Sequence, residues 1–291
     1  MTRPDTGAVV VTYNPDIDLL DECLGHAARE VSALLIVDNG SANVADVRRL
    51  CVAHDATLVE LGSNHGIARA LNTGLENLSS LGMDFALLLD QDSVLRAGSV
   101  EALRSNTLQP AVGIATASVQ ERRTGTTQRG QVDVNYCISS GSLLRLSTWR
   151  DLEGYDEDMF IDFVDFDYCA RLRIAGHRIV RSDRAAISHT IGRAEKRRLG
   201  VIYNYPPQRL EHMARDMVHF AIKHRRTPPG LRPPRTSPFG VAMVLARKTA
   251  LILLYENNRL AKAGAIIRGA AYGVTRILTS SGLRRAVGGR S

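Results

Sequence analysis

Ala8-Val-Val-Val-Thr-Tyr-Asn-Pro15 is the stretch on which the fold turns. Its first residues are apolar and β-branched, the composition of a strand buried on both faces of a parallel sheet. It then changes abruptly to Thr12-Tyr-Asn-Pro15, polar and turn-forming. The same change recurs three times. Leu34-Leu-Ile-Val37 ends in Asp38-Asn-Gly-Ser41, residues 57–61 lead to Ser63-Asn-His-Gly66, and residues 85–89 end in Asp90-Gln-Asp-Ser93. Helical spacing fills the intervals at 19–32, 44–54 and 66–81. Strands alternating with helices predict an α/β fold with a Rossmann-like, mostly parallel central sheet flanked by helices. In such sheets a ligand sits beyond the C-terminal strand ends, which is where all four polar segments fall.

Further along, 112–119, 134–140, 142–146 and 178–187 read as strands, the middle pair meeting at Gly141. Residues 165–175 read as a helix closed by Gly176. After Pro206-Pro207 a helix carries Leu210, Met213, Ala214, Met217 and Ala221 on one face. A stiff Pro-rich segment, 227–235, precedes two helices expected at 240–257 and 259–279 and a Gly/Arg end expected to be disordered. The expected domains are 1–222 and a basic helical extension, 223–291.

Charge follows the same division. The net charge is +7, yet from Lys223 onward there are 14 Lys and Arg against one acid, Glu256. The residues before it carry 23 basic and 29 acidic side chains. An acidic body with a basic tail predicts an anionic partner for the tail. Aromatic residues, at 5%, are too sparse for a base-stacking surface, so nucleic acid is not the expected partner. Cys23, Cys51, Cys137 and Cys169 form no CxxC pair and read as reduced thiols. Met1 to Gly7 is polar, so no secretory signal is expected. Arg247-Lys248 interrupts the longest apolar stretch, 241–255, so the chain is expected to touch a bilayer rather than span it.

Asp90 and Asp92 alternate at a strand end, where a tight turn can aim both carboxylates at one pocket. Two hard oxygen ligands suit Mg²⁺ or Mn²⁺ carrying a diphosphate; the competing reading is helix capping. His189 follows the strand at 178–187 and is either a metal ligand or a structural histidine. Phe160-Ile-Asp-Phe-Val-Asp-Phe-Asp-Tyr168 holds Asp162, Asp165 and Asp167 among bulky apolar residues. That is more acid than helix capping needs, and apolar neighbours push a carboxylate towards general-base duty.

Taken in order, Val11-Thr-Tyr-Asn-Pro15, Val37-Asp-Asn-Gly-Ser41, Asn64-His-Gly-Ile-Ala-Arg-Ala-Leu-Asn-Thr-Gly74, Leu89-Asp-Gln-Asp-Ser93, Ser140-Gly-Ser142, the 160–168 segment and Ser188-His-Thr-Ile-Gly192 resemble a GT-A glycosyltransferase of the family 2 type. Within it they are most similar to bacterial dTDP-rhamnosyl transferases. The resemblance covers roughly residues 8–223. It implies an inverting, metal-dependent transfer of a sugar, L-rhamnose by preference, from a nucleotide-diphosphate donor to a hydroxyl of a glycan or polyprenyl-linked acceptor in cell-surface polysaccharide synthesis.

The resemblance also assigns residues. Thr12, Tyr13 and Asp38 would frame the base and ribose, and Gly66 and Arg69 would face ribose or phosphate. Asn72 would fix the loop and Asp90 would reach the ribose or a metal-bound water. Asp92 and His189 would hold Mg²⁺ or Mn²⁺, and Asp165 would be the general base. Asp162, Asp167 and Gly141 stand as acceptor-side alternatives, with Arg171 expected to pair with the acids. Val164 replaces a Glu common in relatives. Arg215-Asp216 stands where Arg-Asn is usual, and no role is carried over to it. The Lys196-Arg-Arg198 run would belong to a loop over the diphosphate or be a solvated surface run. The expected location is peripheral, on the inner face of the cytoplasmic membrane, with self-association admitted. A non-catalytic nucleotide- or nucleic-acid-binding module and a nucleotidyltransferase are the alternatives. The second lacks a Lys-bearing phosphate loop after the first strand, and a dehydrogenase would need the GxGxxG that Val11 is not followed by.

Overall fold

The computed structural model describes residues 5–121, 132–189, 195–197, 200–234 and 236–287, without the side chains of 120–121, 189, 195–197, 200 and 276–287. It forms two compact units, Met1–Glu157 with Val164–Thr190, and Asp158–Phe163 with Ile191–Ser291. The boundary expected at 222/223 falls inside the second unit, near the end of a helix.

The first unit opens with β1 (Thr6–Thr12), α1 (Ile17–Ala27), β2 (Ala33–Asp38), α2 (Val44–Ala53), β3 (Thr57–Glu60), α3 (Ile67–Ser80) and β4 (Phe85–Asp90). It continues with β5 (Val94–Leu95), α4 (Ser99–Thr107), β6 (Val112–Glu121), β7 (Val132–Val134), β8 (Ser142–Arg145), α5 (Leu146–Asp151), α6 (Val164–Ile174) and β9 (Arg178–His189). The sheet order is β3-β2-β1-β4-β8-β6-β9-β5, with β7 on β9. The first four strands are parallel. β8 then runs antiparallel to both β4 and β6, so the sheet is mixed.

Every residue of β1 is buried, as its continuous apolar run requires. Alternate positions serve opposite faces. Ala8, Val10, Leu34, Ile36, Leu87 and Leu89 join Leu20, Leu24 and Val47 in the core on the α1/α2 side. On the other face α3 lies close because Gly74 has no side chain: a Cβ there would sit 2.4 Å from Cγ1 of Val9. Asp16 starts α1 by accepting from the backbone N–H groups of Asp18 and Leu19. The strand expected at 134–140 is instead a turn beyond β7. The Ser142 hydroxyl donates to the Ile138 carbonyl at 2.7 Å, the Ser142 N–H to Ser139 at 3.0 Å, and Gly141 takes a φ of 76°.

The second unit contains the hairpin β10 (Glu195–Arg197) and β11 (Gly200–Ile202), then α7 (Pro207–His224), α8 (Pro238–Tyr255) and α9 (Arg259–Val287). α7 and α9 touch backbone to backbone. A Cβ on Gly269 would lie 2.1 Å from the Glu211 carbonyl oxygen, and one on Gly273 would lie 2.8 Å from that of Arg215. The Pro207 helix buries Leu210, Met213, Ala214, Met217 and Ala221, the face its spacing indicates. α8 runs unbroken through Arg247-Lys248. It is long and apolar enough by length and composition to cross a membrane, with a mean hydropathy of 1.4 and 17% of it buried. α9 continues to Val287, well past the 279 expected from its pattern.

Candidate active site

The sheet register brings the polar strand ends to one rim of the first unit. Thr12 is the register partner of Asp38 and Val11 that of Asp90. Neighbouring strands run about 4.8 Å apart, so the backbones at Asp38 and Asp90 flank β1 at about 10 Å from each other.

Asp38 is buried, 1% exposed. Its Oδ1 accepts from the Thr12 hydroxyl at 2.9 Å, and its Oδ2 from the N–H groups of Gly40 and Ser41 at 3.1 and 2.9 Å. These bonds fix the carboxylate while leaving Oδ1 acceptor capacity for a ligand N–H. Asn39 joins the next strand end: its side chain donates to Asn64 and accepts from the His65 N–H. Asn64 in turn accepts from the Gly66 N–H at 3.0 Å. Gly66 has a φ of 89° and opens α3, so only glycine turns the chain here without strain. Tyr13 is 48% exposed, and its N–H donates to the Gln91 side chain at 2.8 Å.

On α3, Arg69 pairs with Glu157 at 2.9 Å, its side chain 58% exposed. Asn72 is buried and binds the backbone of Tyr155 through both its amide and its carbonyl oxygen, with a further bond to Glu157. Asn72 therefore anchors the 155–157 segment, and Arg69 keeps a largely exposed guanidinium beside it.

The Asp90 N–H donates to the Ser140 hydroxyl at 3.0 Å, and Ser140 donates to Ser93 at 2.7 Å. Burial first, then the charges of Asp90 and Asp92, push the Cys23 thiol up to about 12. Past Ser93, β5 runs antiparallel to β9 with Val94 opposite Ser188. His189 follows Ser188 at the end of β9. The His189 side chain, like those of Lys196 and Arg197 and all of Arg198, lies outside the described residues.

The three acids of the 160–168 segment part company. Asp165 opens α6, half-buried, one of its oxygens accepting from the Phe166 N–H at 2.8 Å. Asp167 is fully buried and held by Arg171 at 2.8 Å, while Arg171 also binds the carbonyls of Leu152 and Gly154. A carboxylate so enclosed anchors a helix and cannot meet an acceptor hydroxyl. Asp162 belongs to the second unit, where Arg209 holds it at 3.0 Å and burial pushes its carboxyl above the usual range. Gly141 is a packing position: its N–H donates to the Leu88 carbonyl at 2.8 Å and a Cβ would meet Ile187 at 2.9 Å. The pairing expected of Arg171 is present.

Segment 137–142 touches both the Asp90 loop and α6. Ser140 contacts the Asp90 loop, and the Cys137 sulfur lies 3.7 Å from that of Cys169, one helical turn beyond Asp165. Gln91, Ser140, Asn39 and Glu157 hold the candidate site residues by hydrogen bonds and were not singled out from the sequence. Gln91 and Asn39 lay inside the quoted strand ends and could have been found. Glu157 had no local signal, since its partners are 85 and 88 residues away.

Residues 8–177 match the family described as glycosyl transferase family 2. The chain belongs to that family. It is 27% identical over 183 residues to dTDP-rhamnosyl transferase RfbF of Shigella flexneri, covering 56% of this chain and 62% of that protein. It is 28% identical over 177 residues to the pre-mycofactocin glycosyltransferase of Mycobacterium tuberculosis, covering 54% of this chain and 37% of that one. The match thus spans less than two thirds of either relative. In fold it is similar to S. aureus TarS solved with UDP-GlcNAc, at a TM-score of 0.64 and 14% identity over 91% of this chain and 81% of that one. It is also similar to GalNAc-T7 solved with UDP, GalNAc and Mn²⁺, at 0.57 and 10% over 78% and 52%. The fold of this family 2 member is thus GT-A-like, a mixed sheet flanked by helices with C-terminal helices.

Proposed function

We propose that this family 2 glycosyltransferase moves a sugar, L-rhamnose by preference, from a nucleotide-diphosphate donor to a hydroxyl of a lipid-linked or cell-surface glycan, with inversion. The observation that carries this reading is the shared register of Thr12, Asp38 and Asp90 on one rim, with His189 following Ser188 opposite Val94. The preference for rhamnose rests on the Shigella relative and the sequence resemblance.

Asp38 accepts the base N–H, and the exposed Tyr13 ring packs on the base plane. The turn at Gly66 opens space for the ribose, and Arg69 stabilises phosphate charge. Asp92 and His189, with Asp90 through ribose or water, form a hard oxygen and nitrogen set that fits Mg²⁺ or Mn²⁺. Such an ion, when bound, neutralises charge on the departing nucleotide diphosphate. Asp165 holds the acceptor hydroxyl and takes its proton as that oxygen attacks the anomeric carbon. The attack comes from the face opposite the leaving group, which inverts the configuration.

The second unit supports a peripheral place on the anionic inner face of the cytoplasmic membrane. α8 exposes Phe239, Met243 and Leu254 beside Arg247, and α9 exposes Leu260 and Ile267. An apolar face rimmed by cations and nearly free of acids suits headgroups and acyl chains.

The donor reading is tested by calorimetric titration with dTDP and UDP, each with and without Mn²⁺. Metal-strengthened binding, weakened about tenfold or more by Asp38→Ala, is expected from the loss of a charge-assisted hydrogen bond. Indifference of either nucleotide to both the ion and the substitution would count against it.

A further inference from the structure

The Cys137 sulfur lies 3.7 Å from that of Cys169, although 32 residues separate them in the chain. Both are free cysteines, Cys137 half-buried in the turn beyond β7 and Cys169 buried on α6. Neighbouring contacts fix the meeting. The Tyr136 ring packs on that of Phe166, centroids 5.5 Å apart, and Arg173 donates to the Tyr136 hydroxyl at 3.3 Å. Phe166, Cys169 and Arg173 follow the i, i+3, i+7 spacing of one helix face, so α6 holds residues 136 and 137 along two turns. A disulfide sets its sulfurs about 2.05 Å apart, which leaves less than about 2 Å to close.

The two sulfurs differ in access. Cys137 lines a cavity of about 230 Å³ with Val119, Val134, Ile138, Phe166 and Arg181, and Ile138 is 37% exposed where that cavity meets solvent. A water molecule takes about 30 Å³, so a molecule as small as hydrogen peroxide has room there. Cys169 is 1% exposed, and its hydrogen bond to Cys137 and its burial push its thiol well up. Cys137 is therefore the sulfur that meets an oxidant and Cys169 the one that resolves it. Both flank candidate site residues. Ser140, three residues past Cys137, accepts from the Asp90 N–H, and Asp165 stands one turn before Cys169.

We propose that Cys137 and Cys169 form a peroxide-sensitive pair whose disulfide ties the 137–142 turn to α6 and slows the transferase. The Cys137 thiolate attacks one oxygen of hydrogen peroxide, and the O–O bond breaks. Cys137 is left as a sulfenic acid, and the released hydroxide takes the thiol proton to become water. The Cys169 sulfur then displaces the second hydroxide, which leaves with the Cys169 proton as another water. Each sulfur is oxidised by one electron, and one peroxide is reduced to two waters. In a protein kept reduced, such a bond is a transient sensor rather than a structural link. Drawing the turn and α6 together shifts Ser140 and Asp165, and a misplacement of about 1 Å is enough to cost about 10²-fold in rate. The loss of turnover rests on Asp165 as the base proposed above; the bond itself does not.

The test treats the reduced full chain with hydrogen peroxide, counts its thiols, maps the cross-link by mass spectrometry and follows nucleotide release from donor sugars. Two of the four thiols are expected to disappear, with the peptide of Cys137 joined to that of Cys169 and with Cys23 and Cys51 still reduced. Turnover should fall about tenfold or more, and dithiothreitol should restore both the thiols and the rate. Cys137→Ser and Cys169→Ala, made separately, should keep the basal rate and lose the reversible response. Peroxide treatment that leaves all four thiols, or that oxidises Cys137 without joining it to Cys169, overturns the proposal. So does a complete cross-link with an unchanged rate. A reduced wild type that releases no nucleotide from any donor counts against the transferase reading and removes the effect on rate, while the cross-link is still judged by mass.

Discussion

Arg171 holds the fully buried carboxylate of Asp167 at 2.8 Å across one turn of α6, while Asp165, two residues earlier, is only half-buried. That contrast marks Asp167 as a helix anchor and leaves Asp165 as the proposed base. Asp167→Asn removes one partner of a buried ion pair and leaves the Arg171 charge uncompensated. The expected cost is about 3–5 kcal/mol in a urea or thermal unfolding experiment. Activity per folded molecule should survive.

Asp165→Asn keeps the shape of the side chain and its acceptance of the Phe166 N–H but cannot take a proton. Turnover is expected to fall about 10²–10⁴-fold with donor affinity unchanged, read by steady-state kinetics and nucleotide titration. Full turnover in this variant would remove Asp165 from the mechanism.

Lys248 carries a pH signature. Burial, the largest cause, lowers its pKa, so the folded state releases that proton at lower pH than the unfolded chain. The unfolded state then binds more protons between the two pKa values, so this contribution to stability rises with pH and is smallest at neutrality. Lys248→Met should therefore raise the melting temperature at pH 7, and the gain should shrink on the approach to about pH 10, where an unfolded lysine also loses its charge.

Asp216 is fully buried, and one of its oxygens accepts from the N–H groups of Phe160, Ile161 and Asp162 at 3.0, 2.9 and 3.1 Å. The other binds Arg215 at 2.8 Å. Asp216→Ala orphans three donors and a cation, and is expected to cost about 3 kcal/mol or more, measured by unfolding.

Much of this architecture was legible because it is local. The runs at Ala8, Leu34 and Phe85 are strands because they are buried on both faces, and their polar ends stand on one rim because parallel register requires it. Gly66 and Gly74 stand in the quoted 64–74 segment, but their backbone roles, a φ of 89° at the first and close packing on Val9 at the second, show only in the fold. α5 and α4 escaped notice because six and nine residues carry too little periodicity. The fate of the acids at 162, 165 and 167 was illegible, since it depends on Arg209 and on packing around Arg171. The Pro-rich break at 227–235 suggested a boundary, yet α7 before it shares a core with α8 and α9 after it.

The most direct measurement is nucleotide release from a panel of dTDP-, UDP- and GDP-sugars, with Mn²⁺, with Mg²⁺ and with chelator, for wild type and Asp92→Ala. The account predicts release from at least one donor that requires a divalent ion and falls by orders of magnitude in the variant. Release that is indifferent to both chelator and Asp92→Ala would contradict it.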